Sequence, residues 1–363
     1  MKSVQFIYLT GLKRKIFRNA RLWGSWDSQG SYSQAGTEIP MTDLLAEDGC
    51  PGFTATVQLD ASQVGRSFNW GVKFDTPAAP NVWAIPTETN DPGQTNRVRT
   101  FQLQPGQGKQ IERYFCTNAR RLGARKIFRG GKRSRPGLRF SVWAPNAQKV
   151  EVVFGDPTHG YIADDGFGID PARPALSMKR GADGIWQTQD LPNYPAYDGA
   201  PYMYRLVNAQ GRTVYRTDLY ARQQIGHGTF DPHGAHYGDS PDQLEGTKSC
   251  SLVVTLDTIA EDFMPPPGKP VRRIPEDDFW AHEFTPGLPV PSRVEDLVIY
   301  ELHIGALGFG QLQPGNLADA MALLPHLTDL GVNAVELLPM SEFSGIGWGY
   351  GDSHYFVIES SAG

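Results

Sequence analysis

The sequence predicts a multidomain chain, two all-β sandwiches followed by a βαβ unit with a parallel sheet. Three observations carry this. Among 363 residues there are 40 glycines, 28 prolines and many aromatics (18 Phe, 14 Tyr, 8 Trp), a composition that favours turn-rich β structure with large planar contact surfaces. Short segments of alternating apolar and polar residues, separated by Gly, Pro, Asn and Asp clusters, recur as far as residue 257. At Val294 the pattern changes to near-continuous apolar runs on either side of a helix-spaced segment. The length suffices for two or three domains with cores of their own.

The first sandwich is expected over residues 1–116. "FTATVQL" (Phe53–Leu59) alternates, "FNWGVKF" (Phe68–Phe74) nearly does, and "RVRTFQL" (Arg97–Leu103) closes the segment. Residues 117–136 read as an exposed basic linker. The second sandwich is expected over 137–257. It starts with "GLRFSVWAPNAQKVEVVFGD" (Gly137–Asp156), two alternating strands around a Pro145-Asn146 turn. Strands near Trp186, "YMYRLVN" (Tyr202–Asn208), "TVYRTDLY" (Thr213–Tyr220) and "SLVVTLD" (Ser251–Asp257) follow. Residues 258–293 form a proline-rich strap, with eight prolines between Pro265 and Pro291. Proline neither continues a helix nor donates to a sheet, so an extended path is expected.

Over 294–363, "LVIYELHI" (Leu297–Ile304) and "VNAVELLPM" (Val332–Met340) read as buried strands covered on both faces. Between them Leu317, Met321, Leu324, Leu327 and Leu330 fall at helical spacing, with Asn316 as N-cap and Gly331 as the stop. Pro325 is expected to kink or split that helix. Strand, helix and strand make one βαβ unit, and ligand sites of parallel α/β sheets lie beyond the carboxyl ends of the strands. "WGYGDSHYF" (Trp348–Phe356) is the loop in that position.

Charge and cysteine usage exclude several classes. The net charge of −5 hides an asymmetry: Arg120–Arg139 holds nine basic residues and no acid, and removing those nine from the 34 leaves 25 against 39 acids elsewhere. That stretch lacks interleaved aromatics apart from Phe128, so a solvated linker is favoured over a nucleic-acid site. Cys50, Cys116 and Cys250 are odd in number and far apart, which argues for buried free thiols in a reducing compartment rather than a disulfide framework. Gln5, Thr10 and the following "KRK" argue against a signal peptide. No run approaches 18 apolar residues, so no membrane span is expected, and the default location is cytoplasmic.

In the loop, Trp348 and Tyr350 would offer flat apolar faces to sugar rings, and Asp352 and His354 would accept hydrogen bonds from sugar hydroxyls. The competing reading is a loop whose aromatics plug the sheet end. A retaining glycosidase needs two carboxyls roughly 5–5.5 Å apart, and no pair among Glu301, Glu336, Glu342 and Asp352 stands out. Glu301, Glu336 and His303 read as satisfied interior groups. Trp23, Trp26 and Trp83, with Trp70, are candidates for a glycan platform on the first sandwich, although tryptophan in small sandwiches is more often core. His227, His233 and His236 match no metal-ligand spacing, and neither a metal nor a cofactor is expected.

"LVIYELHIGALG" (Leu297–Gly308), "LLPHLTDLGVNAVELLPM" (Leu323–Met340) and "WGYGDSHYFVIESSAG" (Trp348–Gly363) together resemble the start of the catalytic barrel of glycoside hydrolase family 13, the α-amylase superfamily. The likeness is to the branch of isoamylase-type debranching enzymes, maltooligosyltrehalose trehalohydrolases and glycogen branching enzymes. Upstream, "FSVWAPNAQKVEVVF" (Phe140–Phe154), Trp186, "GAPYMYRL" (Gly199–Leu206) and "TDLYAR" (Thr217–Arg222) resemble the immunoglobulin-like early-set carbohydrate-binding sandwich of that branch, with Leu219 where the pattern has proline. Residues 1–116 weakly resemble a starch-binding module.

The resemblance implies that 294–363 open a (β/α)8 TIM barrel, with two of its eight strands. It implies that Tyr350 stacks on the sugar beside the scissile bond, and that the partner is an α-glucan such as glycogen, starch or a maltooligosaccharide. The family's nucleophilic aspartate, acid/base glutamate and stabilising aspartate follow later strands, so no catalytic residue is expected here and the chain alone should be inactive. The parent reaction implied is retaining hydrolysis or transfer at α-1,4 or α-1,6-glucosidic bonds. The alternative is a non-catalytic glycan-binding β-sandwich protein.

Overall fold

The computed structural model describes residues 1–86, 97–106, 108–128, 135–225, 249–260, 272–282, 290–311, 314–343 and 348–360. His227, His233 and His236, and half of the proline-rich segment 258–293, lie outside them. The chain divides into two compact units, Met1–Arg121 with Ile127–Gly137, and Leu122–Lys126 with Leu138–Gly363.

The first unit is a sandwich of two sheets. One contains β1 (Lys2–Leu9), β4 (Thr42–Leu45), β5 (Pro51–Leu59) and β9 (Gln110–Phe115) in the order β4-β5-β1-β9. The other contains β2 (Arg18–Trp26), β3 (Tyr32–Pro40), β6 (Ser67–Asp75) and β7 (Val82–Trp83) in the order β3-β2-β6-β7, with β8 (Arg99–Gln102) also on β6. Alternation sets the inward faces. Val4, Phe6 and Tyr8 of β1 meet Phe68, Trp70 and Val72 of β6 in one buried cluster. Phe6 sits at its centre, 5.3 Å from the Trp26 ring and 5.1 Å from Trp70. The β1–β9 pairing is parallel, joining the two ends of the unit.

The second unit begins with another sandwich. One sheet runs β10 (Gly123–Ile127), β11 (Gly137–Trp143), β15 (Ile185–Gln187) and β14 (Lys179–Arg180). The second runs β13 (Leu176–Ser177), β12 (Lys149–Phe154), β16 (Pro201–Val207) and β17 (Thr213–Arg216), with β18 (Ser251–Leu252) also on β16. Val150, Val152 and Phe154 face the core shared with Leu138, Phe140, Trp186 and Tyr204. Val153 points the other way, into a cluster with Tyr161, Met203 and Cys250. β12 is therefore buried on both sides, and its one carboxylate, Glu151, bonds Arg205 at 2.9 Å.

Several expectations need correction. Part of the basic segment is strand β10 rather than linker, because Leu122 and Ile127 are buried while Lys126 bonds Thr255. Of Ser251–Asp257, two residues pair in the sheet; the chain then leaves it where Lys126 pairs with Asp257. In the proline-rich segment, β19 (Thr258–Ala260) pairs with β20 (Arg273–Pro275), and a helical turn follows at Glu276–Phe279. Pro275 followed by three acids is a helix-starting pattern that overrides the extended preference there. Cys50 and Cys250 are buried free thiols, but Cys116 is exposed.

The last part is a βαβ unit. β21 (Ile299–Leu302) and β22 (Ala334–Leu337) pair in parallel, Ile299 opposite Ala334. The connecting helix, Leu317–Asp329, starts at a reciprocal capping box: Asn316 accepts from the Ala318 and Asp319 amides, and Asp319 accepts from Asn316 N. Helix continues unbroken through Pro325, so proline removes one donor without splitting it. Leu302, Ile304 and Ala320 form a small core, but Val298, Ile299, Tyr300, Val335 and Leu337 are exposed, as are Glu301 and Glu336. The expectation of strands covered on both faces is not met, because a two-stranded sheet with one helix has too few neighbours to cover them.

Candidate functional site

The loop after β22 has a buried base and an exposed tip. At the base the chain doubles back on itself, with Ser341 opposite Ile358 and Phe343 opposite Asp352. The Glu342 carbonyl accepts from Ser353 N at 2.8 Å, His354 N at 3.2 Å and Ser353 Oγ at 3.0 Å. Its carboxylate accepts from Ser360 N at 2.8 Å, and Glu359 accepts from Phe343 N at 3.1 Å. Both carboxylates are buried. Burial, reinforced by the charge of Glu359, pushes the Glu342 carboxyl up to about 8. These two acids hold the loop closed; neither opens toward the tip's exposed surface.

His354 belongs to the base. It is wholly buried, with Nδ1 2.9 Å from Ser353 Oγ and Nε2 3.2 Å from Thr217 Oγ1. Both ring nitrogens are thus occupied by hydroxyls, one accepting and one donating in the neutral ring, and burial pushes the imidazole down to about 4. The sequence-based role of His354 as an exposed acceptor is corrected: a side chain consumed by internal bonds has nothing to offer a ligand.

The tip matches the sequence reading more closely in its exposure. Trp348 is 67% exposed and Tyr350 75% exposed, and Asp352 is also exposed. The Trp348 ring meets His303 edge to face, 5.8 Å between centroids, while the His303 Nδ1 accepts from Ala306 N. Gly349 between the two aromatics has φ +83, and a Cβ there would lie 2.7 Å from the Pro339 carbonyl oxygen. Glycine is required at this position, and it lets the flanking rings turn outward. Two open aromatic faces beside a carboxylate are suited to a flat ligand with apolar C–H patches and hydroxyl donors.

On the first sandwich, Trp26 does not qualify as a platform residue. It is 2% exposed and packs on Phe6, since it points into the space between the sheets. Trp70 is core as well. Trp23 and Trp83 are half-buried on the outer face and meet edge to face at 6.1 Å, with Lys73 Nζ 4.9 Å from the Trp83 centroid. Among the described residues no cluster of three or more His, Cys, Asp or Glu would hold a metal, and no helix is long and apolar enough to cross a membrane.

Sequence reasoning missed Thr217, Gln224 and Ser251. Gln224 Nε2 donates to Thr217 Oγ1 at 2.6 Å, and Ser251 Oγ donates to Gln224 Oε1 at 3.0 Å. The available signal was "TDLYAR" itself, where a Thr-Asp pair directly follows the strand Thr213–Arg216.

Comparison with known proteins bears on this arrangement. Residues 122–221 match carbohydrate-binding module 48, the isoamylase N-terminal domain. The chain is 28% identical over 277 residues to 1,4-alpha-glucan branching enzyme GlgB 2 of Xanthomonas campestris pv. campestris, a match covering 74% of this chain and 30% of the relative. It is 32% identical over 235 residues to GlgB of Nitrosomonas eutropha, covering 62% of this chain and 25% of that protein. Over these stretches the chain is similar to N-terminal regions of glycoside hydrolase family 13 enzymes of the branching and debranching type. It spans about 30% of the length of the first relative it matches. A pullulanase from Paenibacillus barengoltzii, in complex with maltohexaose and alpha-cyclodextrin, is similar at 23% identity and a TM-score of 0.42, over 66% of this chain and 32% of that one. The module match at 122–221 contains "FSVWAPNAQKVEVVF" and all but the last residue of "TDLYAR".

Proposed function

We propose that this chain is the glucan-engaging N-terminal part of an α-glucan-active family 13 enzyme. Residues 294–363 are its first barrel βαβ portion, preceded by sandwiches at 1–116 and 137–257 and by the segments 117–136 and 258–293. In this reading Tyr350 stacks on a glucose ring, Trp348 provides a second apolar face and Asp352 accepts from a hydroxyl. The chemistry of the parent protein is retaining hydrolysis or transfer at α-glucosidic bonds, on glycogen, starch or maltooligosaccharides.

The observation that carries the reading is the exposed Trp348–Tyr350 tip beyond the carboxyl end of a parallel strand, the usual position of an α/β ligand site. The relatives named as branching enzymes support the substrate class. Calorimetric titration of the full chain with maltoheptaose tests it. Tyr350→Ala is expected to weaken binding by about tenfold, the scale of one well-placed aromatic anchor. Absence of any binding to maltoheptaose or glycogen would overturn the glucan reading. A second reading, a glycan-binding protein working through its sandwiches, draws on the module match at 122–221. It predicts that Tyr350→Ala leaves affinity unchanged.

A further inference from the structure

Alternate residues of the segment after the tip point the same way. His354 and Phe356 both reach the second sandwich, whereas Tyr355 between them is 72% exposed. Both are received by one short stretch, Thr217–Gln224. Phe356 stacks on Tyr220 with 5.6 Å between centroids, and the Arg222 guanidinium lies 4.3 Å over its ring. His354 Nε2 lies 3.2 Å from Thr217 Oγ1. Thr217 is fixed in turn, 2.8 Å from Ser251 Oγ and accepting from Gln224 Nε2, whose amide also donates to Ser249 O at 2.7 Å. Ser251 Oγ accepts from Asp218 N at 3.0 Å. Thr217, Asp218, Gln224, Ser249, Ser251 and His354 are all buried, so each lost partner would strand a polar group away from water.

The tip is supported differently. The Trp348 ring meets His303 edge to face, and the backbone of Trp348–Tyr350 is set by the close approach of Gly349 to Pro339 and by the pairing of 341–343 with 352–358. The far limb of that pairing is held on one side by residues 341–343 and on the other by the sandwich. We infer that Thr217 is a positioning residue, which with Gln224 and Tyr220 docks the 353–357 limb on the sandwich and thereby sets the orientation of the Trp348–Tyr350 tip. The sandwich then does more than bind or support: it presets a loop elsewhere in its unit. The consequence for ligand affinity rests on the reading of the tip as the glucan contact; the docking itself does not.

The test uses the 363-residue chain with Thr217→Val and, as the conservative rescue, Thr217→Ser. Amide hydrogen exchange over 353–357 is expected to quicken about tenfold in Thr217→Val and to return near the parent rate in Thr217→Ser, because valine takes the hydroxyl partner from His354 Nε2 and one of two acceptors from Gln224 Nε2. Protection of β12 and β16 should stay as in the parent. Maltoheptaose affinity should fall about threefold to tenfold in Thr217→Val and recover in Thr217→Ser. Unchanged exchange over 353–357 overturns the inference, as does an equal loss of protection in β12 and β16, which would make Thr217 a general packing residue. Faster exchange with unchanged affinity overturns the link to the tip. Tyr350→Ala separates the two readings: it should leave the exchange of 353–357 intact, and its effect on affinity judges the glucan contact alone. If Thr217→Val does not fold, Tyr220→Leu removes the stack under Phe356 and is read by the same criteria.

Discussion

Two regions of the second unit are built from equally apolar strands and end in opposite states. In the sandwich, β12 and β16 bury Val150, Val152, Phe154, Tyr202 and Tyr204 between two sheets and place Val153 and Met203 in a second cluster. In the βαβ unit, β21 and β22 leave Ile299, Tyr300, Val335 and Leu337 exposed, with the small core confined to Leu302, Ile304 and Ala320. The difference lies in the number of layers around each strand, not in the residues. A strand is only as buried as its neighbours make it, so the sandwich is stabilised by its own contents and the βαβ unit only partly so.

The contrast can be tested in order of expected effect. Phe140, wholly buried with its ring 4.9 Å from Tyr202, should cost about 3–5 kcal/mol of sandwich stability when changed to alanine, the usual scale for a core aromatic. Native-state hydrogen exchange of β12 and β16 amides reads that loss.

The second test concerns the loop base, where Glu342 faces Glu359, Ser360 and the amides of the doubled-back chain, and His354 faces Thr217 and Ser353. The folded loop raises the Glu342 carboxyl to about 8, so that contribution is complete below its ordinary 4.5 and fades as pH rises to about 8. The folded loop lowers His354 to about 4, so that contribution is complete above its ordinary 6.5 and fades as pH falls to about 4. The opposing slopes offset each other between these ordinary values. Above 6.5 only Glu342 acts. Opening of residues 353–360, corrected for intrinsic exchange, should therefore rise about tenfold between pH 6.5 and pH 8. Glu342→Gln should flatten that rise, and a rise that persists in the variant would show that another group drives it.

The smallest effect is expected at Ile299, about half-exposed on β21. Ile299→Ala should cost less than about 1 kcal/mol, because little area is returned to water. A loss as large as that of Phe140→Ala would mean that this face is covered in solution.

Much of the strand plan was legible. "FTATVQL", "FNWGVKF" and "KVEVVF" alternate because one face of each meets a core, and "NLADAMALLPHLTDLG" announces its helix by spacing and cap. Sequence failed where partners far along the chain decide. Gly123–Ile127 reads as a basic linker but forms a strand, since Leu122 and Ile127 find buried sites. Trp23 and Trp26 are an odd three residues apart in one strand, so alternation alone puts them on opposite faces; that Trp26, with Ala20 and Leu22, is on the core side is decided by the second sheet.

The same division runs through the candidate site. Local chemistry alone determined that residues 348–356 turn on glycines and carry aromatic rings, because φ +83 at Gly349 and the side-chain inventory are properties of the segment itself. The family resemblance, too, was carried by the order of motifs in one dimension. Only the tertiary structure decided which rings stay open, that His354 turns inward to Thr217, and that Glu342 and Glu359 share a dry base. Burial and hydrogen-bond pairing are set by residues as much as 137 positions away, as Thr217 is from His354, and no local pattern encodes a partner at that distance.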